Sequence, residues 1–311
     1  MSEFHHVSVL LHESVDALNI RPDGIYVDGT LGGAGHSFEI AGRLTTGRLI
    51  GIDRDETALA AAGVRLAPFA DRVTLVHSNF CRMDEVIRQL GLPGVDGVLL
   101  DLGVSSPQLD EGSRGFSYMA DAPLDMRMDR TDSLTAYQVV NEWPYEELKR
   151  ILFDYGEERY APQIAAAICR SREQKKIETT LELVDIIRGS LPGAALREKQ
   201  HPAKRSFQAI RIAVNDELDS VSRAMNAAIP ILNPGGRLAV ITFHSLEDRI
   251  VKSAMNDAAK GCTCPPSFPV CVCGRKPKVK VISRKPILPA EQELTENPRA
   301  RSAKLRVCEK L

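Results

Sequence analysis

Short apolar runs alternate with helical patterns along the first hundred residues of this 311-residue chain. Four of the runs are rich in β-branched residues and are predicted to be strands: GIYVDG, RLIGID, RVTLVHS and VDGVLLDLG. The intervening segments 36–44, 56–69 and 83–90 have compositions and spacings typical of helices. Because parallel strands are joined by crossover helices, this order predicts right-handed βαβ units and a mostly parallel sheet.

The alternation stops near residue 104 and resumes after residue 212. Between 113 and 212 no strand pattern is evident, whereas helices are predicted at 145–154, 161–171 and 181–189. We interpret residues 111–212 as an inserted, all-helical domain. Residues 1–110 and 213–311 would then be the two parts of one α/β domain.

The last hundred residues predict the other side of the sheet. An amphipathic helix over 215–232 ends at NPGG, and RLAVITF is predicted to be a fifth strand. Ser245 is expected to cap the next helix, with Asp248 completing a capping box. KVKVIS and KLRVCEKL are two further strand patterns with no helix pattern between them, so an antiparallel end to the sheet is predicted.

A glycine-rich turn, GTLGGAGHS, follows the first predicted strand. Its glycines remove side chains that would hold a ligand away, and amides at the start of the following helix point outward. Ligands of open α/β sheets bind outside the carboxyl ends of the strands. The turn therefore predicts a ligand site at this edge of the sheet.

Two side chains at neighbouring strand ends suit an adenosine ligand. Asp53 ends the second strand, 18 residues after Gly35, where an acid can accept hydrogen bonds from both ribose hydroxyls. The alternative is that Asp53 caps the following helix. Phe80 follows the third strand and either stacks on an adenine ring or belongs to the core.

Charge and bulk favour S-adenosylmethionine over a dinucleotide. Dinucleotide sites carry GxGxxG, but here Phe38 occupies the last position. Asp28 stands just before the glycines and Asp101 ends the fourth strand, so both acids are expected at one sheet edge. Carboxylates repel a pyrophosphate and attract a sulfonium and an ammonium group. An NAD-dependent oxidoreductase remains the alternative from these residues alone.

Seven stretches then occur in a fixed order along nearly the whole chain, from His6 to about Leu311: VDGTLGGAGHS, GIDRD, DLGVSSPQLD, RGFSY, PLDMRMD, RSFQAIRIAVNDEL and GGRLAVITFHSLEDRIVK. Together they resemble the bacterial ribosomal RNA small subunit methyltransferase H family, also called MraW or RsmH. The resemblance implies S-adenosyl-L-methionine-dependent methylation of the exocyclic N4 of a cytidine in 16S rRNA, near the decoding centre (P site). It also implies a class I methyltransferase fold, which is a Rossmann-like seven-stranded sheet with an antiparallel end and an inserted helical substrate-recognition domain.

The resemblance also assigns site residues. The cofactor would be held by Ala34, Gly35, His36, Asp53, Phe80, Asp101 and Gln108. The family usually has glycine at the position of Ala34.

Asp101 and Ser105 are our candidates for the acceptor of the amino proton, and Ser105 has the alternative role of shaping a turn. Asp125, Arg127 and His244 are further candidates near the base, and His244 has a purely structural alternative. Many amino-methyltransferases have an aromatic residue directly after the proline of this segment, but here Gln108 directly follows Pro107. Their amine-positioning roles therefore do not transfer to this chain.

The expected partner is 16S rRNA or the small ribosomal subunit. The net charge is only −1, yet two basic clusters occur: Lys260, Arg275, Lys276, Lys278, Lys280, Arg284 and Lys285, and Arg197, Lys199, Lys204, Arg205 and Arg211. They predict contacts to a polyanion. No apolar run approaches about 20 residues and the first residues lack a secretory pattern, so we expect a cytoplasmic protein without membrane contact. A monomer and a homodimer both remain open.

The seven cysteines are odd in number, which argues against a disulfide framework. The stretch CTCPPSFPVCVC places Cys262, Cys264, Cys271 and Cys273 in two CxC pairs. Four thiolates can bind zinc, but CxxC is the commoner spacing. We favour a reduced, proline-rich loop, with zinc as the alternative and no metal in catalysis.

Overall fold

The computed structural model describes residues 8–264, 270 and 273–311. The chain forms two compact units, of which the first comprises Met1–Gly103 and Leu218–Leu311 as far as these are described, and the second comprises Val104–Glu217. The second unit thus interrupts the first in sequence. The division falls at 103 and 217, where the sequence predicts 110 and 212.

The described part of the first unit contains seven strands. They are β1 (Ile25–Asp28), β2 (Arg48–Asp53), β3 (Val73–His77), β4 (Val95–Asp101), β5 (Leu232–Thr242), β6 (Val279–Val281) and β7 (Lys304–Lys310). They form one sheet in the order β3-β2-β1-β4-β5-β7-β6. β1 to β5 are parallel, and β7 pairs antiparallel with both β5 and β6. The predicted class of fold and its antiparallel end are confirmed.

Helices are numbered through both units in chain order. The first unit contains α1 (Leu11–Ala17), α2 (Gly35–Arg43), α3 (Glu56–Arg65), α4 (Met83–Gln89), most of α12 (Glu217–Ile231), α13 (Ser245–Ala259) and α14 (Glu291–Glu296). The second contains α5 (Ser106–Asp110), α6 (Ala136–Glu142), α7 (Tyr145–Asp154), α8 (Ala161–Gln174), α9 (Thr180–Ser190), α10 (Gly193–Leu196) and α11 (Lys204–Asn215). Among the described residues, no helix has both the length and the hydropathy needed to cross a membrane.

Helices cover both faces of the sheet. Successive side chains of a strand point to opposite faces. Val98 and Leu100 therefore pack in the core that α4 and α12 contribute to, whereas Leu99 packs in the core that includes residues of α1 and α2. Burial on both faces explains why the parallel strands are continuous apolar runs. Polar side chains are therefore found mainly at the ends of these strands.

Two expectations near the C-terminus are wrong in detail. NPGG lies inside β5 rather than before it, because Leu232 already pairs with Val95 across a register irregularity. A short helix, α14, does separate β6 from β7. Its six residues do not form a crossover, and the two strands remain antiparallel.

The second unit has its own hydrophobic core, formed by residues of α6, α7, α8, α9 and α11 together with Phe116, Leu124 and Met126. The segment before α6 passes through Gly115, whose φ is +70°. A Cβ at Gly115 would lie 2.3 Å from the carbonyl oxygen of Pro123 and 3.1 Å from the amide nitrogen of Asp125. Position 115 therefore requires glycine for both its conformation and its space.

Replacing Gly115 by alanine is expected to lower the free energy of unfolding by about 2 kcal/mol or more, because the methyl group meets backbone that cannot move aside. Gly112→Ala is the matched control, since a Cβ there meets nothing within 4 Å. The control should stay within about 0.5 kcal/mol of the parent chain. Denaturant unfolding of the three proteins measures the difference, and equal midpoints would contradict it.

Candidate functional site

Three aspartates lie at the carboxyl ends of three adjacent strands. Asp28 ends β1, Asp53 ends β2 and Asp101 ends β4. Asp28 is level with Gly51 of β2 and Leu99 of β4, so Asp53 and Asp101 each reach two residues, or about 7 Å, further along the sheet. The strand order reverses direction between β1 and β4, which is where ligands of such sheets bind.

Asp53 fixes the glycine-rich turn to the end of β2. Its Oδ2 accepts a hydrogen bond from the amide of Gly32 at 2.8 Å, and its Oδ1 accepts one from the amide of Asp55 at 2.9 Å. Burial raises the pKa of Asp53, and the two amide donors offset part of that rise. The N-cap of α3 is Asp55, which accepts from the amide of Thr57. The capping alternative for Asp53 is therefore wrong.

Asp28 is almost fully buried, with 2% of its surface exposed. Its carboxylate accepts from the hydroxyl of Ser37 at 2.7 Å and from the amide of Thr30 at 3.1 Å. Burial raises the pKa of Asp28 to about 6, although these hydrogen bonds lower it and the charge of Asp53 adds to the rise. This carboxylate is thus mostly ionised at neutral pH and becomes protonated as the pH falls through about 6, unless a cation lies beside it.

Asp101 has an acceptor atom that the described residues leave unsatisfied. Its Oδ1 is buried without a hydrogen-bond partner among them, although a quarter of the side chain is exposed. Burial raises the pKa of Asp101 well above its usual range, and the charges of Asp28 and Glu247 add to the rise. A buried oxygen of this kind costs free energy unless a donor or cation approaches it.

The residues between Asp28 and Asp101 hold the turn in place. The amide of Asp101 donates to the Thr30 hydroxyl at 2.6 Å, which connects β4 to the turn. His36 is buried, and its Nδ1 lies 3.8 Å from Asp101 Oδ2. Its Nε2 lies 3.1 Å from the carbonyl oxygen of Val9, and because a carbonyl only accepts, Nε2 carries a hydrogen.

Ala34 and Gly35 begin α2 at this turn. Ala34 is the N-cap and adopts the left-handed region with φ +56°, a conformation that glycine reaches more easily. A Cβ at Gly35 would lie 1.9 Å from the Ser8 hydroxyl oxygen, so this glycine allows close packing against the preceding segment. Both residues shape the turn through their backbone.

Phe80 and Phe38 have identifiable packing roles. Phe80 is half-buried and packs against the core. It lies next to Gly29, since a Cβ added at Gly29 would be 3.1 Å from the Cβ of Phe80. Its stacking on an adenine ring stays a prediction. Phe38 makes an edge-to-face contact with Phe69, at 5.2 Å between ring centroids. The bulky residue in the glycine motif is thus accommodated on the outer side of α2.

The end of β5 differs from its prediction by one residue. His244, not Ser245, is the N-cap of α13, and Glu247, not Asp248, completes the capping box. The carboxylate of Glu247 accepts from the amides of Phe243 and His244 at 2.8 and 3.3 Å. The reason is that β5 ends at Thr242, which leaves His244 extended.

Glu247 is a residue of this site that the sequence analysis missed. It is buried with 1% of its surface exposed, and its charge acts on Asp101. His244 lies 3.2 Å from Glu247 Oε1 through its Nε2. The structural interpretation of His244 is therefore supported, since its ring caps a helix. The signal that would have found Glu247 was its place in the capping box.

The remaining predicted residues belong to the second unit. Ser105 and Gln108 form a reciprocal pair, in which the Ser105 amide donates to Gln108 Oε1 at 3.1 Å and the Gln108 amide donates to Ser105 Oγ at 3.4 Å. This arrangement supports the turn-shaping alternative for Ser105. Their roles at the cofactor and in catalysis stay predictions.

Asp125 and Arg127 bind each other within their own loop. The guanidinium of Arg127 donates to both Asp125 oxygens at 3.0 and 2.8 Å, and to the carbonyls of Arg130 and Asp132. Burial raises the pKa of Asp125, but the donors on Arg127 outweigh it and the net pKa is lowered. Much of the polar capacity of this pair is thus used in holding the loop, and contact with a base stays a prediction.

Comparison with known proteins identifies the relationship. Residues 3–311 match the MraW methylase family. This chain belongs to the MraW methylase family. The Ribosomal RNA small subunit methyltransferase H of Brevibacillus brevis is 63% identical over 309 residues, covering 99% of this chain and 98% of that protein. The protein of the same name from Heliobacterium modesticaldum is 58% identical over 310 residues, covering 99% of each chain.

Solved structures are more distant. The crystal structure of an rRNA methylase from Streptococcus thermophilus is 13% identical, with a TM-score of 0.45, and the similarity covers 98% of this chain and 99% of that one.

Membership of the MraW methylase family confirms the predicted use of S-adenosyl-L-methionine. The three-strand edge fits this cofactor. Asp28 and Asp101 both have raised pKa values, and a buried oxygen of Asp101 has no hydrogen-bond partner among the described residues. The sulfonium and ammonium groups of the cofactor are cations that such an edge stabilises, whereas a pyrophosphate would be repelled. The oxidoreductase alternative is therefore discarded.

Proposed function

We propose that the chain methylates the exocyclic N4 of a cytidine in 16S rRNA, near the decoding centre (P site) of the small ribosomal subunit. The observation that carries the proposal is the unsatisfied carboxylate oxygen of Asp101 at the end of β4, beside the buried Asp28. Relatives more than half identical are named as small-subunit rRNA methyltransferases, which supports the rRNA substrate, and the motif resemblance supports the N4 assignment.

Different residues at the carboxyl edge of the sheet bind different parts of the cofactor. Asp53 is the acceptor for the ribose hydroxyls, and Phe80 is the candidate for the adenine face. Ala34, Gly35 and His36 line the turn through backbone and ring. Asp28 and Asp101 supply negative charge. When bound, S-adenosyl-L-methionine supplies an electrophilic methyl group on a cationic sulfur.

The amino group of cytosine needs an acceptor because its lone pair is delocalised into the ring. A hydrogen bond from N4 to Asp101 Oδ1 would localise that lone pair and orient the nitrogen for in-line attack. A raised pKa makes Asp101 a stronger base than an ordinary aspartate, so it also suits the removal of the surplus proton. Ser105 remains the second candidate, through the second lone pair of its hydroxyl oxygen, since the Gln108 amide donates to that oxygen only once.

The target base must leave any paired stack to reach such a site, so the substrate is unpaired or extruded RNA. Exposed Arg197, Lys199 and Lys204 suit phosphate contacts, which give affinity but little sequence information. Arg211 does not suit them, because Glu217 binds its guanidinium at 2.8 and 3.0 Å. Specificity then comes either from RNA shape or from a partly assembled ribosomal subunit.

The affinity for S-adenosyl-L-methionine is expected to fall about tenfold between pH 7.5 and pH 5. A cationic ligand binds the ionised form of Asp28, whose pKa of about 6 makes that form scarce at pH 5. Binding should therefore release protons near pH 6. Calorimetric titration in two buffers of different ionisation enthalpy measures both effects.

Adenosine is the control ligand for this pH dependence, because it lacks both cationic groups. Its weaker binding should change little over the same range. Equal pH profiles for adenosine and the full cofactor would mean that the carboxylates do not face the cations.

The proposed function is tested by methyl transfer from labelled cofactor to small subunits taken from a strain that lacks the gene, compared with naked 16S rRNA. Nucleoside mass analysis should find N4-methylcytidine. Subunits from the parent strain, already modified, should accept no label. A methyl group on another atom would refute the N4 assignment. N4-methylcytidine persisting unchanged in the deletion strain would instead favour a non-catalytic assembly factor.

A further inference from the structure

Three cysteines meet in the segment that joins α13 to β6, outside the cofactor site. The sulfur atoms of Cys262, Cys264 and Cys273 all lie within 4.8 Å of one another. Those of Cys262 and Cys273 are 3.7 Å apart, far beyond the roughly 2.05 Å of a disulfide bond. The amide of Cys264 donates to the sulfur of Cys262 at 3.4 Å, a contact that favours a charged thiolate.

One of the sulfur–sulfur distances is close to that of a zinc thiolate centre. Zinc binds thiolate sulfur at about 2.3 Å in a tetrahedron, which separates neighbouring sulfurs by about 3.8 Å. The 3.7 Å between Cys262 and Cys273 matches that edge. Soft thiolate ligands select zinc and similar metals over magnesium and calcium.

The surroundings of the cluster favour the same ligand. Arg275 and Lys276 flank it in sequence and are exposed, whereas the exposed Lys260 pairs with Asp257 at 2.6 Å. Acidic residues are absent from the sequence between 258 and 290. Positive charge nearby balances the negative charge of a zinc ion with several thiolates. Hydrogen bonds join the two ends of the segment. The Lys278 amide donates to the carbonyl of Ala258, and the Arg275 guanidinium donates to the carbonyl of Asp257.

We propose that Cys262, Cys264 and Cys273 bind a zinc ion with a structural role. A structural zinc has four ligands, so the three sulfurs leave one coordination position for a further donor. The metal links Cys262 and Cys264, which follow α13, to Cys273, which precedes β6. It thereby holds the adjoining basic side chains in one arrangement, ready to contact a polyanion.

The test is the zinc content of the untagged, full-length chain purified without added metal or chelator. About one zinc per chain is expected for the parent and for Cys169→Ser, which removes a thiol of the second unit. The Cys262→Ser/Cys273→Ser variant should contain less than about a tenth of that. Cofactor affinity and the unfolding midpoint show whether the variant is folded.

Cobalt substitution gives a second readout that does not depend on purification history. Cobalt added to the metal-stripped parent should produce a thiolate-to-metal charge-transfer band, which the double variant should lack. Zinc in the double variant at the parental level would overturn the proposal. So would a parent chain that neither contains zinc nor gives the cobalt band.

Discussion

Replacement of Asp101 by asparagine is expected to lower the rate of methyl transfer by about 10²–10⁴-fold. It should also raise the unfolding midpoint of the cofactor-free protein. The rate falls because asparagine carries no charge for the sulfonium and is a poor acceptor for an amino proton. The single-turnover rate with saturating cofactor and small subunits measures the first effect, and thermal unfolding measures the second.

The rise in stability follows from the sign of the pKa shift. The pKa of Asp101 is raised in the folded chain, so its contribution to stability is present at low pH and is lost as the pH rises through the folded pKa. Above the pKa of an unfolded aspartate, folding requires Asp101 either to hold its charge near Asp28 and Glu247 or to take up a proton, and both oppose folding. Asparagine removes that charge, so stability and activity should change in opposite directions.

Asp96→Asn is the matched control for Asp101→Asn, because it changes the same residue type at the opposite end of β4. Asp96 is buried and well paired, as it accepts from the guanidinium of Arg21, the amide of Ile25 and the amide group of Asn233. This variant should lose stability and keep its rate. If Asp101→Asn behaved in the same way, Asp101 would be a structural residue rather than part of the site.

Replacement of Asp53 by alanine is expected to raise the dissociation constant of the cofactor about 100-fold or more. Two hydrogen bonds from ribose hydroxyls to a carboxylate together supply about 3 kcal/mol. The variant also loses the acceptor that fixes the amide of Gly32, so the turn becomes less well ordered. Calorimetric titration with S-adenosylhomocysteine measures the change without turnover.

Asp55→Asn is the control for Asp53→Ala. It lies two residues further on, and asparagine can still accept from the amide of Thr57 as the N-cap of α3. Its dissociation constant should stay within about threefold of the parent value. An unchanged affinity in Asp53→Ala would remove Asp53 from the cofactor site.

Local sequence signals predicted the elements whose burial follows a regular pattern. RLIGID was identified as a strand and is β2, residue for residue, because burial on both faces makes it apolar up to the aspartate at the sheet edge. Tyr145–Asp154 was likewise predicted as a helix and is α7. The short α6 was missed, since its seven residues depend on a capping box from Thr135 and on the core of the second unit.

Elements determined by tertiary pairing were harder to predict. NPGG has the composition of a turn, yet pairing with β4 draws Leu232 into β5. The N-cap of α13 is one residue earlier than predicted, because β5 ends at Thr242 and His244, rather than Ser245, is extended. Where β5 begins and ends depends on its pairing with other strands, and local sequence patterns do not encode that pairing.

The site was predicted to the extent that strand ends determine it. Asp28, Asp53 and Asp101 follow from the rule that parallel strands place their carboxyl ends at one edge. Glu247 was missed because its position on α13 depends on where the preceding strand stops. The hydrogen bond from Asp101 to Thr30 is likewise a contact between distant residues that local patterns do not encode.

The most direct measurement of where the cofactor binds is a crystal structure of the chain with S-adenosylhomocysteine. We expect the ribose hydroxyls within hydrogen-bonding distance of Asp53, and the amino-acid end beside Asp28 and Asp101. A groove lined by residues of α12 and α13, such as Met225, Ile229 and Ala254, should remain empty of ligand. Ligand in that groove, with Asp53 and Asp101 free of contact, would contradict the assignment of the carboxylate edge.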